Sequence, residues 1–178
     1  MNGTELINKS KAWFDHEPVE VHQGVSVHVF QYGAQWMHAR MNDLSPTNTF
    51  PFDQSIRYGL YGLLKYGICL GSFLLSCILL SRIHIGLLPL AVLIFYFVEV
   101  HLLFLFPLLI DRVSKPVLTS ICITYRIGIV RCIITVMQIA FFMMVGLFNL
   151  RKPFQNWYIG CLSIVLWYKN DVRDRLYK

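Results

Sequence analysis

Residues 97–116 read FVEVHLLFLFPLLIDRVSKP, an apolar run that carries Glu99 and His101 and ends in a short polar turn. The apolar part continues a hydrophobic stretch that begins near residue 84, and another begins after Pro116. Two antiparallel helices joined by a short loop are neighbours in space. This stretch therefore predicts a membrane-crossing helical hairpin that contains a carboxylate and an imidazole.

Composition supports this class of protein over the whole chain. Of 178 residues, 56% are hydrophobic and only 15% are charged, whereas soluble domains carry roughly 25% charged residues. The apolar residues are concentrated between residues 58 and 168, where the sequence is almost continuously hydrophobic. We therefore expect an all-α integral membrane protein with a polar N-terminal segment.

The predicted membrane domain covers residues 54–168 and contains about four helices, at 54–81, 84–110, 117–149 and 154–168. The last one has fifteen residues, whereas a perpendicular crossing needs roughly 20. It is either a short crossing helix or an interfacial helix, and tryptophans near its two ends favour a crossing. At the start of the first helix, Tyr58, Tyr61, Lys65 and Tyr66 are typical of a headgroup interface with a snorkelling lysine.

The polar segments at the two ends of the chain are predicted as separate regions, 1–53 and 169–178. Valines at alternate positions from Val19 to Val29 predict a strand or hairpin that turns at Gln23-Gly24. Residues 35–44 predict a short helix in the membrane interface. Because a lone hairpin is marginally stable, we expect residues 1–53 to lie on the membrane domain or on a partner protein.

Four ionisable residues in the membrane domain form the main candidate site. Counting about 1.5 Å per residue from the 111–116 loop places Glu99, His101, Arg126 and Arg131 in one layer of a regular hairpin. An ionised group at the bilayer centre costs roughly 2.5–3.5 kcal/mol even on a lenient scale. We therefore expect an ion pair between Glu99 and either Arg126 or Arg131.

Two roles for this layer remain open on the sequence. The charges either lock the helices together or form a polar cavity. Two arginines beside one glutamate leave a net positive charge, which suits a phosphate or carboxylate. Anion recognition, for example of a lipid headgroup, is therefore favoured over a proton relay.

Small residues on the first predicted membrane helix indicate a helix-packing face. Gly67 and Gly71 are four residues apart, as are Ser72 and Ser76. Small side chains at this spacing let a second helix approach closely in a membrane.

Metal and thiol chemistry are not indicated. The five cysteines lie inside apolar segments without C-x-x-C spacing and predict small buried residues. His38 and Asp43 have the spacing H-x₄-D, which resembles the catalytic motif of glycerolipid acyltransferases. That match covers six residues and would imply an α/β catalytic domain, for which we expect no room beside the helices.

The distribution of basic residues predicts a topology. With four crossings, the two chain ends and the 111–116 loop share one side, and basic residues are concentrated there. The basic residues of that side are Lys9, Lys11, Arg40, Arg57, Arg112, Lys115, Lys169, Arg173, Arg175 and Lys178, against Arg82, Arg151 and Lys152 on the other. The positive-inside rule then places both ends in the cytoplasm, in a plasma or inner membrane rather than an organelle.

The function predicted from the sequence is that of a non-catalytic subunit or scaffold of a membrane complex. Its expected partners are the bilayer, a larger membrane protein or further copies of the chain, and an anionic lipid. The net charge of +6 is assigned to the flanks of membrane helices, so no nucleic-acid partner is expected. No cofactor or metal is expected. The alternative is a small lipid-modifying enzyme or carrier that uses Glu99, His101, Arg126 and Arg131.

Overall fold

The structure is a computed structural model that describes residues 2–16, 29–44, 51–149 and 154–173. Within these ranges all regular structure is helical. The α-helices are α1 (Gly3–His16), α2 (Val29–Leu44), α3 (Tyr58–Ile83), α4 (Pro89–His101), α5 (Leu105–Ile110), α6 (Pro116–Ile127), α7 (Ile129–Leu147) and α8 (Gln155–Tyr168). A 3₁₀ turn (Ile85–Leu87) precedes α4, and a π-helical turn (Lys169–Arg173) follows α8. Pro89 and Pro116 begin their helices, where a missing N–H group costs nothing.

Three helical segments of the described chain are long and apolar enough to cross a membrane. They are Tyr58–Ile83, Ile85–Ile110 and Ile129–Leu147. The surface of α3 is dominated by exposed leucines and isoleucines. A continuous apolar surface of this kind is typical of a helix that contacts lipid. The predicted fourth segment, 154–168, forms α8, which is not among these three because it is short.

The second of these segments is not the continuous helix predicted over 84–110. Helix α4 ends at His101, a turn covers Leu102–Phe104, and α5 begins at Leu105. Pro107 explains the position of the break, because its ring clashes with the carbonyl of the residue four positions earlier, Leu103. The prediction of an unbroken helix here was wrong for that reason.

A second break divides the helix predicted over 117–149 into α6 and α7. Gly128 lies between them with a φ of +103°. Only glycine adopts this region of backbone space without steric cost. The sequence position of Gly128 within an apolar run gave no sign that the chain would leave the helical conformation there.

The helices pair in two antiparallel hairpins. Helix α4 returns along α3, with the rings of Phe73 and Phe95 in edge contact at 6.2 Å. Helix α8 returns along α7, and the two approach closely because Gly146 and Gly160 face side chains of the other helix. The α6–α7 unit also packs against α4 and joins the two hairpins.

The N-terminal helix α1 lies against α7 and α8. The Asn2 side chain caps its first turn by accepting a hydrogen bond from the Glu5 amide at 2.9 Å. Its buried face includes Leu6, Ser10 and Phe14, and the Ser163 hydroxyl of α8 donates a hydrogen bond to the Ser10 hydroxyl at 3.0 Å. The N-terminal segment is therefore part of the helical bundle, at least over this helix.

Helix α2 contains the helix predicted over 35–44 and begins six residues earlier. Its N-terminal end packs on α3, where a Cβ at Gly62 would lie 2.5 Å from the Phe30 ring, and it also contacts α5 and α8. Of the predicted hairpin, residues 19–28 lie outside the described residues, and Val29 begins α2.

Candidate functional site

The break between α4 and α5 exposes backbone carbonyl groups that α6 satisfies. The Thr124 hydroxyl donates a hydrogen bond to the Val100 carbonyl at 2.7 Å, and the Ser120 hydroxyl donates one to the His101 carbonyl at 2.8 Å. Both hydroxyl side chains are fully buried. Hydroxyl groups of neighbouring helices commonly satisfy carbonyls that helix breaks release in membranes.

His101 and Tyr125 meet beside this break. The His101 ring nitrogen Nδ1 lies 2.6 Å from the Phe97 carbonyl, and Nε2 lies 3.3 Å from the Tyr125 hydroxyl. Since a carbonyl only accepts, Nδ1 carries the proton, and in a neutral ring Nε2 accepts from Tyr125. This contact places His101 and Tyr125 at one level of the hairpin.

Arg126 follows Tyr125 on the exposed surface of α6. The midpoint of the segment Ile85–Ile110 falls between Phe97 and Val98, and the contacts of His101 and Val100 with α6 place Arg126 near that level. No ion pair or hydrogen bond joins the Arg126 guanidinium to any residue that the structure describes.

Glu99 and Arg131 point to different parts of the bundle. Glu99 is half-buried and lies within electrostatic range of Tyr66 and Cys69 on α3. Arg131 lies 3.8 Å from the Asp171 carboxylate in the π-helical turn. The expected ion pair of Glu99 with Arg126 or Arg131 is absent among the described residues. Arg131, which follows the break at Gly128, pairs with Asp171 instead.

A buried lysine belongs to the same interior and was missed as a site residue. Lys65 is 6% exposed, so most of its side chain packs in the interior. Its predicted snorkelling position at the interface stays a prediction. Lys65 lies in the neighbourhood of Cys69 and of Cys161 of α8. The signal in the sequence was its spacing from Gly62 and Cys69, which places all three on one face of a helix.

A second polar cluster lies at the end of α5, outside the segments that can cross a membrane. The Asp111 carboxylate forms an ion pair with the Arg173 guanidinium at 2.9 Å. It also accepts a hydrogen bond from the Tyr168 hydroxyl at 2.8 Å. Burial raises the pKa of Asp111, and Arg173 and Tyr168 oppose this effect by stabilising the charged carboxylate. Sequence reasoning used Arg173 only as a topology marker and did not foresee this cluster.

Gly67 and Gly71, which were predicted to pack against another helix, do not contact one in the described structure. A Cβ added at Gly67 or Gly71 would meet open space in the described structure. The Ser72 and Ser76 hydroxyls donate to carbonyls of α3 itself, at 2.8 Å and 2.7 Å. A role for this face in packing against another chain stays a prediction.

The weaker candidates are distributed over the surface. The Asp43 carboxylate pairs with Arg40 at 3.0 Å, so it does not orient His38 as the acyltransferase resemblance implied. All five cysteines are free thiols, but Cys122 is exposed, which corrects the prediction that all are buried. Within the described ranges, no three His, Cys, Asp or Glu side chains group in a way that would hold a metal ion, and His22 and His28 lie outside those ranges.

No protein-family model, curated protein or solved structure matches this chain. Its class therefore rests on its own fold: a helical protein with three segments that are long and apolar enough to cross a membrane.

Proposed function

We propose that this chain is a multi-pass membrane protein that acts as a non-catalytic subunit, and that it binds a partner protein through the outer face of α1. The observation that carries this proposal is the position of α1, a helix with a polar outer face that lies along the central part of α7.

Two contacts fix that position. Gly3, at the start of α1, packs directly against Gln138 and Thr135 of α7. Further along α1, the Lys11 ammonium lies 4.7 Å from the centroid of the Phe142 ring. Since α7 runs from Ile129 to Leu147, these contacts cover the middle of a segment that is apolar enough to cross a membrane.

The face of α1 that points away from α7 and α8 is polar. Its exposed residues include Thr4, Glu5, Asn8 and Lys9, and a Glu5–Lys9 ion pair of 3.3 Å spans one turn. Each ionised side chain at the bilayer centre costs roughly 2.5–3.5 kcal/mol in contact with lipid. A polar protein surface that covers α1 removes this cost, which supports a membrane-protein partner with charges complementary to Glu5 and Lys9.

The distribution of basic residues supports the orientation of this subunit. Arg112 and Lys115 lie in the loop between α5 and α6, whereas Arg82 is the basic residue at the opposite end of α3. We therefore propose that the 111–115 loop faces the cytoplasm.

The test compares a charge change on α1 with a matched charge change elsewhere. The tagged full chain is purified in a mild detergent, and native mass spectrometry determines the mass and stoichiometry of the complex. Glu5→Lys should reduce the fraction of chain in a defined stoichiometric complex at least tenfold, because it breaks charge complementarity. Lys115→Glu, an exposed change of equal size in the loop, should leave that fraction unchanged.

Two results would contradict the proposal. In the first, the wild-type chain is recovered as a monomer without a stoichiometric protein partner. In the second, Glu5→Lys and Lys115→Glu affect the complex equally, which would mean that α1 is not the contact surface.

An anionic lipid at Arg126 is a second ligand that a specific observation favours. The guanidinium is exposed near the middle of the hairpin and has no ion pair within the described chain, and an anionic headgroup that reaches it would supply one. Arg126→Gln should then reduce the amount of copurified phosphatidylglycerol severalfold, measured by lipid mass spectrometry. An unchanged amount would exclude this role.

The alternative of a lipid-modifying enzyme is less well supported. That function needs its four candidate residues around one reacting group, whereas Glu99 lies toward α3 and Arg131 pairs with Asp171. Only His101 and Arg126 remain on neighbouring surface positions, on either side of Tyr125.

A further inference from the structure

His101, Tyr125 and Arg126 form a polar patch on the surface of the described bundle, which we call the His101 patch. Tyr125 is 61% exposed, Arg126 is exposed and His101 is partly exposed. The exposed side chains of Phe97, one turn before His101, and of Leu118, two turns before Tyr125, are apolar. The patch is therefore polar surface within a region that otherwise suits lipid.

A chain of two hydrogen bonds runs through this patch. His101 Nδ1 donates to the Phe97 carbonyl at 2.6 Å, and the Tyr125 hydroxyl donates to Nε2 of the neutral ring at 3.3 Å. The imidazole also makes edge contacts with the Phe97 and Tyr125 rings, at centroid distances of 5.0 Å and 5.5 Å. These contacts orient the imidazole, so Nε2 faces the Tyr125 hydroxyl.

A proton on Nε2 reverses the hydrogen bond to Tyr125. Histidine is the side chain that changes charge between about pH 5 and 8, and a charged imidazole donates from both nitrogens. The Tyr125 oxygen then accepts, and its own proton needs another acceptor. No other described residue forms a hydrogen bond with this hydroxyl, and the neighbouring Arg126 offers only donors. The acceptor therefore has to come from outside the described chain.

The charge of the patch depends on the ionisable groups of the helices that pack against α4, which are α3, α6 and α7. Arg131 is paired with Asp171, and Arg126 has no ion pair with a described residue. With His101 protonated, the patch itself thus carries two positive charges. The further ionisable groups toward this end of α4 are Glu99 on α4, Lys65, Tyr66 and Cys69 on α3, Cys122 on α6, and Arg131 and Cys132 on α7.

We propose that protonation of His101 strengthens the binding of a phospholipid phosphate at Arg126, because it frees the Tyr125 hydroxyl to donate to the same phosphate. This inference rests on the anionic-lipid role proposed above for Arg126 and adds its regulation. A phosphate has several acceptor oxygens, so it can accept from the guanidinium and the hydroxyl together. The positive charge of the imidazolium favours the same anion. Lipid binding is thus coupled to proton uptake.

The test measures lipid binding at two pH values. The purified, delipidated full chain in a neutral detergent is titrated with phosphatidylglycerol at about pH 8 and about pH 5.5. Occupancy is measured by native mass spectrometry, and the midpoint of thermal unfolding is measured on the same samples. Phosphatidylglycerol keeps one negative charge throughout this range and should bind about tenfold more tightly at the lower pH, through the added charge-assisted hydrogen bond.

Variants assign this pH dependence to the His101 patch. His101→Gln cannot gain a proton and should bind equally at both pH values. Tyr125→Phe keeps the imidazole but lacks the hydroxyl, so it should lose most of the tenfold difference. His84→Gln is the matched control, because His84 accepts a hydrogen bond from the Gly86 amide beyond the other end of α4. It should keep the full difference. Unfolding midpoints show whether each variant is folded.

The source of the phosphate is tested in parallel. Water-soluble glycerophosphoglycerol carries the same phosphodiester without acyl chains, and diacylglycerol carries acyl chains without a phosphate. We expect phosphatidylglycerol to bind more tightly than either. If glycerophosphoglycerol binds as tightly and with the same pH dependence, the ligand is a phosphodiester that need not be a lipid. If diacylglycerol binds as tightly as phosphatidylglycerol, the phosphate is not recognised and the inference is wrong.

The remaining outcomes separate this inference from the proposal it rests on. If phosphatidylglycerol does not bind at either pH, or if Arg126→Gln binds it as tightly as the wild type, both are wrong. If binding depends on Arg126 but is equally tight at both pH values, only the coupling to His101 is wrong. The same conclusion follows if His101→Gln or Tyr125→Phe keeps the full tenfold difference.

Discussion

At the scale of single residues, the ion pair between Asp111 and Arg173 is the most completely buried charge interaction described. The side chains are 1% and 6% exposed, respectively, and Tyr168 completes the cluster. This pair joins the end of α5 to the π-helical turn after α8. Because the pair is buried, loss of either charge is expected to be costly.

Asp111→Asn should lower the free energy of unfolding by about 3–5 kcal/mol, because it removes the carboxylate from a buried ion pair. The measurement is chemical unfolding in detergent. Asp43→Asn is the control, since it removes a carboxylate that pairs with Arg40 at the surface and should cost about 1 kcal/mol or less. Equal effects of the two changes would show that the Asp111 pair contributes no more than a surface pair.

The surroundings of Asp53 favour its charged form and lower its pKa, whereas burial raises the pKa of Asp111. The Ser55 side chain and backbone amide donate hydrogen bonds to Asp53 at 2.6 Å and 2.9 Å. These bonds lower the pKa of Asp53 below 3.8. The folded state therefore binds fewer protons than the unfolded state near this pH, so the stabilisation is present above pH 3.8 and is lost as pH falls through the folded pKa.

Ser55→Ala should raise the pKa of Asp53 toward 3.8, because the side-chain hydrogen bond is its largest cause. Carboxyl-carbon NMR titration of Asp53 measures this change. Ser81→Ala serves as the control, because that hydroxyl donates only within α3, to Ile78. A pKa that does not move in Ser55→Ala would exclude the hydroxyl as the cause.

At the scale of helices, the two breaks determine which residues meet. The α4–α5 break lies opposite Ser120 and Thr124, which supply the hydrogen bonds its carbonyls need. The break at Gly128 then separates Arg126, on the surface of α6, from Arg131, which pairs with the π-helical turn. The predicted single layer of four charges is divided by this second break.

Thr124→Val should destabilise the protein by about 1–3 kcal/mol, since it keeps the shape of the side chain and removes the donor to the buried Val100 carbonyl. Thr119→Val is a matched change on the same helix, where the hydroxyl makes a longer 3.3 Å bond to Ser114. Thermal unfolding should therefore separate the two variants. If Thr119→Val costs as much as Thr124→Val, the break does not depend on the Thr124 hydroxyl.

The glycines of α3 provide a second test at this scale. Gly62→Ala should destabilise the contact between α2 and α3 by about 1–3 kcal/mol, because the added methyl group overlaps the Phe30 ring. Gly67→Ala adds the same methyl group into open space and should be neutral or stabilising by about 0.5–1 kcal/mol in the isolated chain. The midpoints of thermal unfolding compare them. A destabilising Gly67→Ala would contradict the open surface at that position.

Regular spacing made part of this arrangement predictable. The fixed rise of a helix was used to place His101 and Arg126 in one layer, and His101 contacts Tyr125, the residue next to Arg126. Hydropathy located the apolar segments that form α3, α4–α5 and α6–α7. The break before Pro107 could have been predicted, because proline disrupts the preceding turn. The break at Gly128 could not, because membrane helices tolerate glycine. The burial of most of the Lys65 side chain was not predicted, because neighbouring tyrosines indicate an interface as readily as they indicate a core.

At the scale of the whole molecule, α1 lies on the apolar helices α7 and α8, one of the two positions expected for residues 1–53, but hydropathy did not predict which helices it would contact. Its buried face is narrow and includes Ser10, so its sequence reads as a polar segment. Only the tertiary contacts with α7 and α8 show that this polar helix lies along an apolar one. The partner proposed above would cover the polar outer face of α1 and so shield it from a surrounding bilayer.

The most direct test of this central claim is site-specific photo-crosslinking in intact membranes. A photoreactive amino acid is placed at Ala12 on the exposed face of α1, or at Leu70 on the exposed apolar face of α3. The Ala12 probe should give one discrete protein adduct that Glu5→Lys removes, whereas the Leu70 probe should react mainly with lipid. If the Ala12 probe reacts only with lipid or water, the outer face of α1 does not bind a partner protein.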